Sequence, residues 1–167
     1  LVAGEAQQLL DSENMAELAA FCTEPWAISA ETAAGSGSWE AAACQCLQDL
    51  EILEPDWLTL LKQWEQAPEL PGFAPQDPEK LERIAVYFAF RYLLKAVNDG
   101  DLLGRAQFCA LGVLVTDRLS RFVGLPEALR LFSREIEHDE DNLATLREQF
   151  WQTEGLSLSA LLAAFCG

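Results

Sequence analysis

Apolar residues at Trp39, Ala42, Ala43, Cys46, Leu47 and Leu50 follow the 3.6-residue spacing of one helix face, and Ser38 is placed to cap that helix. A second helix begins at Pro55, a residue suited to the first turn because its missing N–H costs nothing there. Its inner face carries Trp57, Leu58, Leu61 and Trp64. Earlier in the chain, Leu9, Leu10, Met15, Leu18, Ala19 and Phe21 make a broken helical stripe over about residues 5–22. Between that stripe and Ser38, Pro25 and the run Gly35-Ser36-Gly37-Ser38 predict a flexible loop.

Pro68, Pro71, Pro75 and Pro78, with Gly72 among them, form a stiff connector between two helical halves. Asp77 as cap, Pro78 at the first helical position and Glu79 in the first turn mark a sharp helix start. The centre of that helix, Ile84 to Leu94, is apolar nearly all round, so the expectation is a buried central helix over about residues 78–98. Gly100 stops it and Asp101 starts the next, whose apolar run reaches Val123 and ends at Gly124. Pro126 opens a helix running to His138. The acidic group Asp139, Glu140 and Asp141 favours the N-terminus of another, carrying Leu143, Leu146, Phe150 and Trp151. Ser157 caps a last apolar helix, Leu158 to Phe165. No stretch alternates with period two. The expected fold is all-α, an irregular bundle of about seven helices around the 78–98 helix. Its expected organisation is an N-terminal helix and loop over residues 1–37 and a helical domain over 38–167, together one structural domain.

Half of the 167 residues are hydrophobic and 23% are charged, which is globular composition. The net charge of −16, from 27 acidic and 11 basic residues, repels phosphate backbones and anionic lipid, and so argues against a nucleic-acid partner. No apolar run reaches the roughly 18 residues a membrane helix needs, so no membrane partner is expected. Cys22, Cys44, Cys46, Cys109 and Cys166 form no CxxC pair and read as small buried hydrophobes in a reducing, cytoplasmic setting. On a helix the thiols of Cys44 and Cys46 point about 200° apart and cannot share one metal. The chain starts at Leu1 rather than Met, and the expectation is a fragment whose upstream part is missing.

Four segments in order, Asp49 to Leu58, Tyr87 to Leu94, Asp99 to Leu103 and Ser133 to His138, resemble the C-terminal helical region of the flagellin lysine-N-methylase family. The resemblance covers about residues 38–165. It implies a domain of an enzyme that methylates lysines of a flagellin-like substrate, serving in substrate recognition or as a scaffold. S-adenosylmethionine and a cysteine-bound metal or iron–sulfur centre are implied only for the full-length family, whose N-terminal cysteine-rich domain would be a partner. A lysine-rich protein substrate would suit the acidic surface. Catalysis by this chain alone is not expected, and no cofactor is assigned to it. The competing reading is a non-catalytic acidic helical protein-interaction module.

The sharpest local chemistry is Glu135-Ile136-Glu137-His138, since a Glu three residues before a His is half of a carboxylate-bridged di-iron site. The other half is absent. His138 is the only histidine, so completion would need two copies of the chain. The simpler expectation places His138 at a helix C-terminus, where the dipole favours it, with Glu135 and Glu137 on the surface or in salt bridges. Another is a polar contact between domains. Arg91, Asp117, Arg118 and Arg134 interrupt apolar helices and need partners. They either pair internally or line a polar pocket between helices, with Arg91 and Tyr92 the foremost candidates. Trp26, Trp39, Trp57, Trp64 and Trp151 read as core.

Overall fold

The structure is a computed structural model that describes residues 39–67 and 77–166, with Gln8 alone before them. The first predicted helix, the loop before Ser38, the proline connector, Cys22 and Trp26 lie outside the described residues. Within them the fold is all-α, with no strand and seven helices of eight or more residues.

The first two helices, α1 (Trp39–Gln48) and α2 (Pro55–Gln66), pack as a pair. Trp39 lies over Trp64 with ring centroids 5.9 Å apart. Helix α3 (Pro78–Arg91) starts where the sequence predicts, the Asp77 side chain accepting from the Glu79 N–H. It ends seven residues early, at Arg91, and a 3₁₀ turn (Leu93–Lys95) and the short α4 (Ala96–Asp99) follow. Gly100, at φ 70°, takes the left-handed conformation that closes α4.

Helix α5 (Leu102–Val123) is capped by Asp101 accepting from the Gly104 N–H and holds the centre of the molecule. Twelve of its residues are buried, and α2, α3, the helix after it and both C-terminal helices pack against it. Helix α6 (Leu125–Phe132) passes into a wider π-helical turn, Ser133–Glu137, closed by the His138 N–H donating to the Ser133 carbonyl. Helix α7 (Glu140–Gln152) is capped by Asp139, and α8 (Leu158–Cys166) by the Ser157 hydroxyl.

The expected central helix is therefore the wrong one. In α3 only Ile84 and Phe88 are buried, whereas Val86, Tyr87 and Phe90 face outward, as do Leu94 and Val97 just beyond it. The physical reason is that α3 packs one face only, against α5. There Phe88 lies over Gly112, where an added Cβ would sit 2.8 Å from the ring. Around that contact Phe88, Tyr92, Phe108 and Phe132 form an aromatic core, with Phe88 5.7 Å from Phe132 and Tyr92 4.7 Å from Phe108, centroid to centroid. Trp57 and Trp64 are buried as expected, but Trp151 is 66% exposed, since it lies beside rather than on the Leu146–Phe150 stripe of α7.

Candidate functional site

Two hydrogen-bond networks meet on the π-turn Ser133–Glu137. Residues two apart on a helix face roughly opposite sides, so Glu135 and Glu137 look in different directions and do different work.

Glu135, expected on the surface or in a salt bridge, is fully buried and held by backbone N–H groups. Its carboxylate accepts from the Leu53 N–H at 3.0 Å and the Glu54 N–H at 2.6 Å, at the N-terminus of α2. Pro55 leaves that helix start one donor short, and the Glu54 side chain makes no local cap, so a distant carboxylate supplies the negative end that the dipole favours. Asn142 completes the clamp. Its amide donates to the Glu51 and Glu135 carbonyls, and its oxygen accepts from the Glu51 N–H at 2.9 Å.

Glu137 faces α3. One of its oxygens accepts from the Tyr87 hydroxyl at 2.7 Å and the Tyr92 hydroxyl at 2.8 Å, with the Arg91 guanidinium 3.3 Å away. Arg91 also donates to the Tyr92 oxygen and lies against both rings, while the Lys95 ammonium sits 5.1 Å from the centre of the Tyr92 ring. Burial, then the bond to Glu137, pushes the Tyr87 phenol up to about 12; the same two causes raise Tyr92 further, with Arg91 opposing them. Both phenols are thus held protonated as donors.

The other predicted residues are dispersed. Arg134 is exposed and pairs with Glu54 at 2.7 Å, in a network that Arg130 and Glu127 extend. His138 is exposed at the end of the π-turn. On α5, Asp117 pairs with Arg121 at 2.6 Å, and Arg118, nearly buried, lies 3.3 Å from Glu40 of α1. Arg118 lines a cleft of about 270 Å³ with Cys44 and Trp64, away from the Glu137 cluster. The structure thus joins Arg91 and Tyr92 but not the whole set, and each of the three predicted arginines has a carboxylate within 3.3 Å.

Cys44 and Cys46 are buried; burial pushes the Cys44 thiol up and holds Cys46 and Cys109 at about 11, so these sulfurs are protonated, weak nucleophiles at neutral pH. Among the described residues no three His, Cys, Asp or Glu side chains converge to hold a metal ion. Those residues do not fit a metal or iron–sulfur centre. No described helix is long and apolar enough to cross a membrane.

Sequence reasoning missed the buried roles of Glu135 and Asn142, although a signal existed. Glu135 lies four residues after the buried Leu131, and Asn142 four before Leu146 and eight before Phe150, so both sit on apolar stripes. It also missed the cluster of Asp99 and Asp101 with Arg105 and Arg147, which ties α4, α5 and α7 together. Compared with family models, with curated proteins and with solved structures, this chain finds no match.

Proposed function

We propose that this domain is a protein-binding scaffold whose working surface is the outer face of α3 and the turn after it. The observation that carries this is the exposure of Val86, Phe90, Leu94 and Val97, at 49, 74, 60 and 89%. They follow one another at intervals of four, four and three residues, and Arg83, Tyr87 and Arg91 flank them along a shallow open groove. A row of apolar side chains rimmed by polar ones is what a partner helix or surface covers. Its most exposed member, Val97, can be replaced by a photoreactive residue and compared in source cells with the same residue at the exposed Glu148 of α7. Polypeptide adducts at position 97 and none at 148 support the reading; equal yields overturn it.

A finer reading keeps the lysine-N-methylase resemblance, with this domain as a C-terminal recognition or scaffold part beside a cysteine-rich domain. What supports it is the resemblance itself; in the fold three of the four resembling segments meet, Ser133–His138 holding Asp49–Leu58 through Glu135 and Tyr87–Leu94 through Glu137. Those residues hold the fold together, so the likeness concerns architecture. Methyl transfer from S-adenosylmethionine to flagellin lysines by the native gene product tests it, with the product's intact mass compared with the 18.5 kDa of this chain. A native mass equal to this chain's, or no transfer, sinks it.

A further inference from the structure

We propose that the α3 face takes a second copy of this chain, the two α3 helices lying antiparallel across a two-fold axis; the inference rests on reading that face as a binding surface. The first argument is charge. Residues 77–101 carry five acidic and four basic side chains. Among the described residues, Glu137 pairs with Arg91, and Arg105 and Arg147 pair with Asp99, which brings the neighbourhood to six of each sign. It is neutral, and the rest of the chain carries all of the −16. A neutral apolar face has no charge with which to select a basic or an acidic partner, and two like-charged copies meet there without repelling.

The second argument is that the row matches its own reverse. Exposed Glu82, four residues before Val86, stands at one end of the row Val86, Phe90, Leu94 and Val97, and exposed Lys95 stands near the other. A two-fold axis at Phe90 sets that ring against its own copy and Val86 against Leu94 of the other copy. Glu82 then falls beside Lys95 of the other copy, twice by symmetry. A parallel pairing would instead set Glu82 against Glu82 and Lys95 against Lys95, at a cost.

The third argument is area. A whole aromatic residue offers about 150–250 Å² and an aliphatic one somewhat less, so at their exposures Val86, Tyr87, Phe90, Leu94 and Val97 present roughly 500 Å². Doubled by the two-fold axis this is about 1,000 Å², the lower bound of a specific interface, and the stems of Arg83, Arg91 and Lys95 add a rim. An interface of that size makes a reversible dimer of micromolar rather than nanomolar strength.

The test is sedimentation equilibrium of the purified full chain over a roughly hundred-fold range of concentration spanning the micromolar. The expected result is a monomer–dimer equilibrium. Phe90→Asp and Val97→Asp, with their helical circular dichroism unchanged, should each weaken it by about ten-fold or more. Val97→Asp carries this arm by itself if Phe90→Asp does not fold. Glu82→Lys and Lys95→Glu should each weaken the dimer about three- to five-fold, and the two together should restore it, since the reversal rebuilds both pairs. A monomer throughout, a dimer that neither Asp variant weakens, or a double reversal no tighter than the single ones overturns the proposal. If the purified chain stays monomeric while position 97 gives adducts to other polypeptides in cells, the dimer is refuted and the binding face stands. If the chain stays monomeric and position 97 labels no more than position 148, both fall.

Discussion

Removing the Glu135 carboxylate should undo the junction between the two helical halves. In Glu135→Ala the N–H groups of Leu53 and Glu54 lose their acceptor, at 3.0 and 2.6 Å, where the bound carboxylate is fully buried. Each stranded donor costs about 1–3 kcal/mol, and hydrogen bonds to a charged acceptor sit at the upper end. The sum is about 3–5 kcal/mol, a large part of the roughly 5–15 kcal/mol by which a domain is stable. Glu135→Gln keeps one acceptor oxygen but turns an NH₂ group toward the second N–H, so it should cost about half as much. Urea unfolding followed by helical circular dichroism measures both. The order Ala worse than Gln worse than wild type is expected, with an unchanged slope for Gln. A loss below about 1 kcal/mol for Ala would show that water or local rearrangement satisfies these donors, and the clamp would be refuted.

The chain has two tyrosines, Tyr87 and Tyr92, and both donate to Glu137, so a native-state absorbance titration should show tyrosinate only well above the ordinary range, with Tyr87 half-ionised at about pH 12. Because their folded values are raised, the stability they contribute is complete below about pH 10 and lost as pH climbs through the folded values; an ordinary phenol titration near 10 would contradict this. Asp99, held at about 2 first by its bond to Arg105, contributes stability above about pH 4 that disappears as pH falls toward 2. With its side chain 34% exposed, solvent screening reduces this to about 1 kcal/mol, so Asp99→Asn should cost that much at pH 7 and nothing at pH 2. Gly112→Ala should lower the melting temperature although it removes a glycine from a helix interior. The new Cβ meets the Phe88 ring at 2.8 Å, and overpacking of about 1–3 kcal/mol outweighs a propensity gain of about 1; a higher melting temperature would mean that Phe88 moves aside freely.

Local chemistry was the legible part of the sequence. Asp77 and Ser157 read as caps, and Asp101 and the Asp139 group as helix starts, because a helix start depends on neighbours two or three residues away, and each of the four makes a cap bond there. Burial was less legible. A helix such as α3, whose centre is apolar nearly all round, reads the same whether it fills a core or offers one side to a partner, and periodicity does not separate the two. The longer α5 took the centre, and residues 102–123 carried apolar groups on every side that did reach the interior. The site was legible only as residue types. Arg91 and Tyr92 are adjacent in the chain, but the acceptor that Tyr92 meets, Glu137, lies 45 residues away, and the backbone that Glu135 holds lies 81 and 82 residues away. Charge pointed Glu135 to the surface or a salt bridge, because the donors preceding Pro55 become visible only once the fold brings the two segments together.

The most direct measurement compares Phe88→Asp with Phe90→Asp by urea unfolding. Phe88 is fully buried against Gly112, Phe108 and Phe132, whereas Phe90, two residues on, is 74% exposed on the proposed binding face. A buried unpaired carboxylate added to the roughly 3–5 kcal/mol of a lost core ring should leave Phe88→Asp without a cooperative transition. Phe90→Asp should keep its helical signal and a cooperative transition within about 2 kcal/mol of wild type. If Phe90→Asp also unfolds the domain, α3 is core on every side and its outer face is no binding surface.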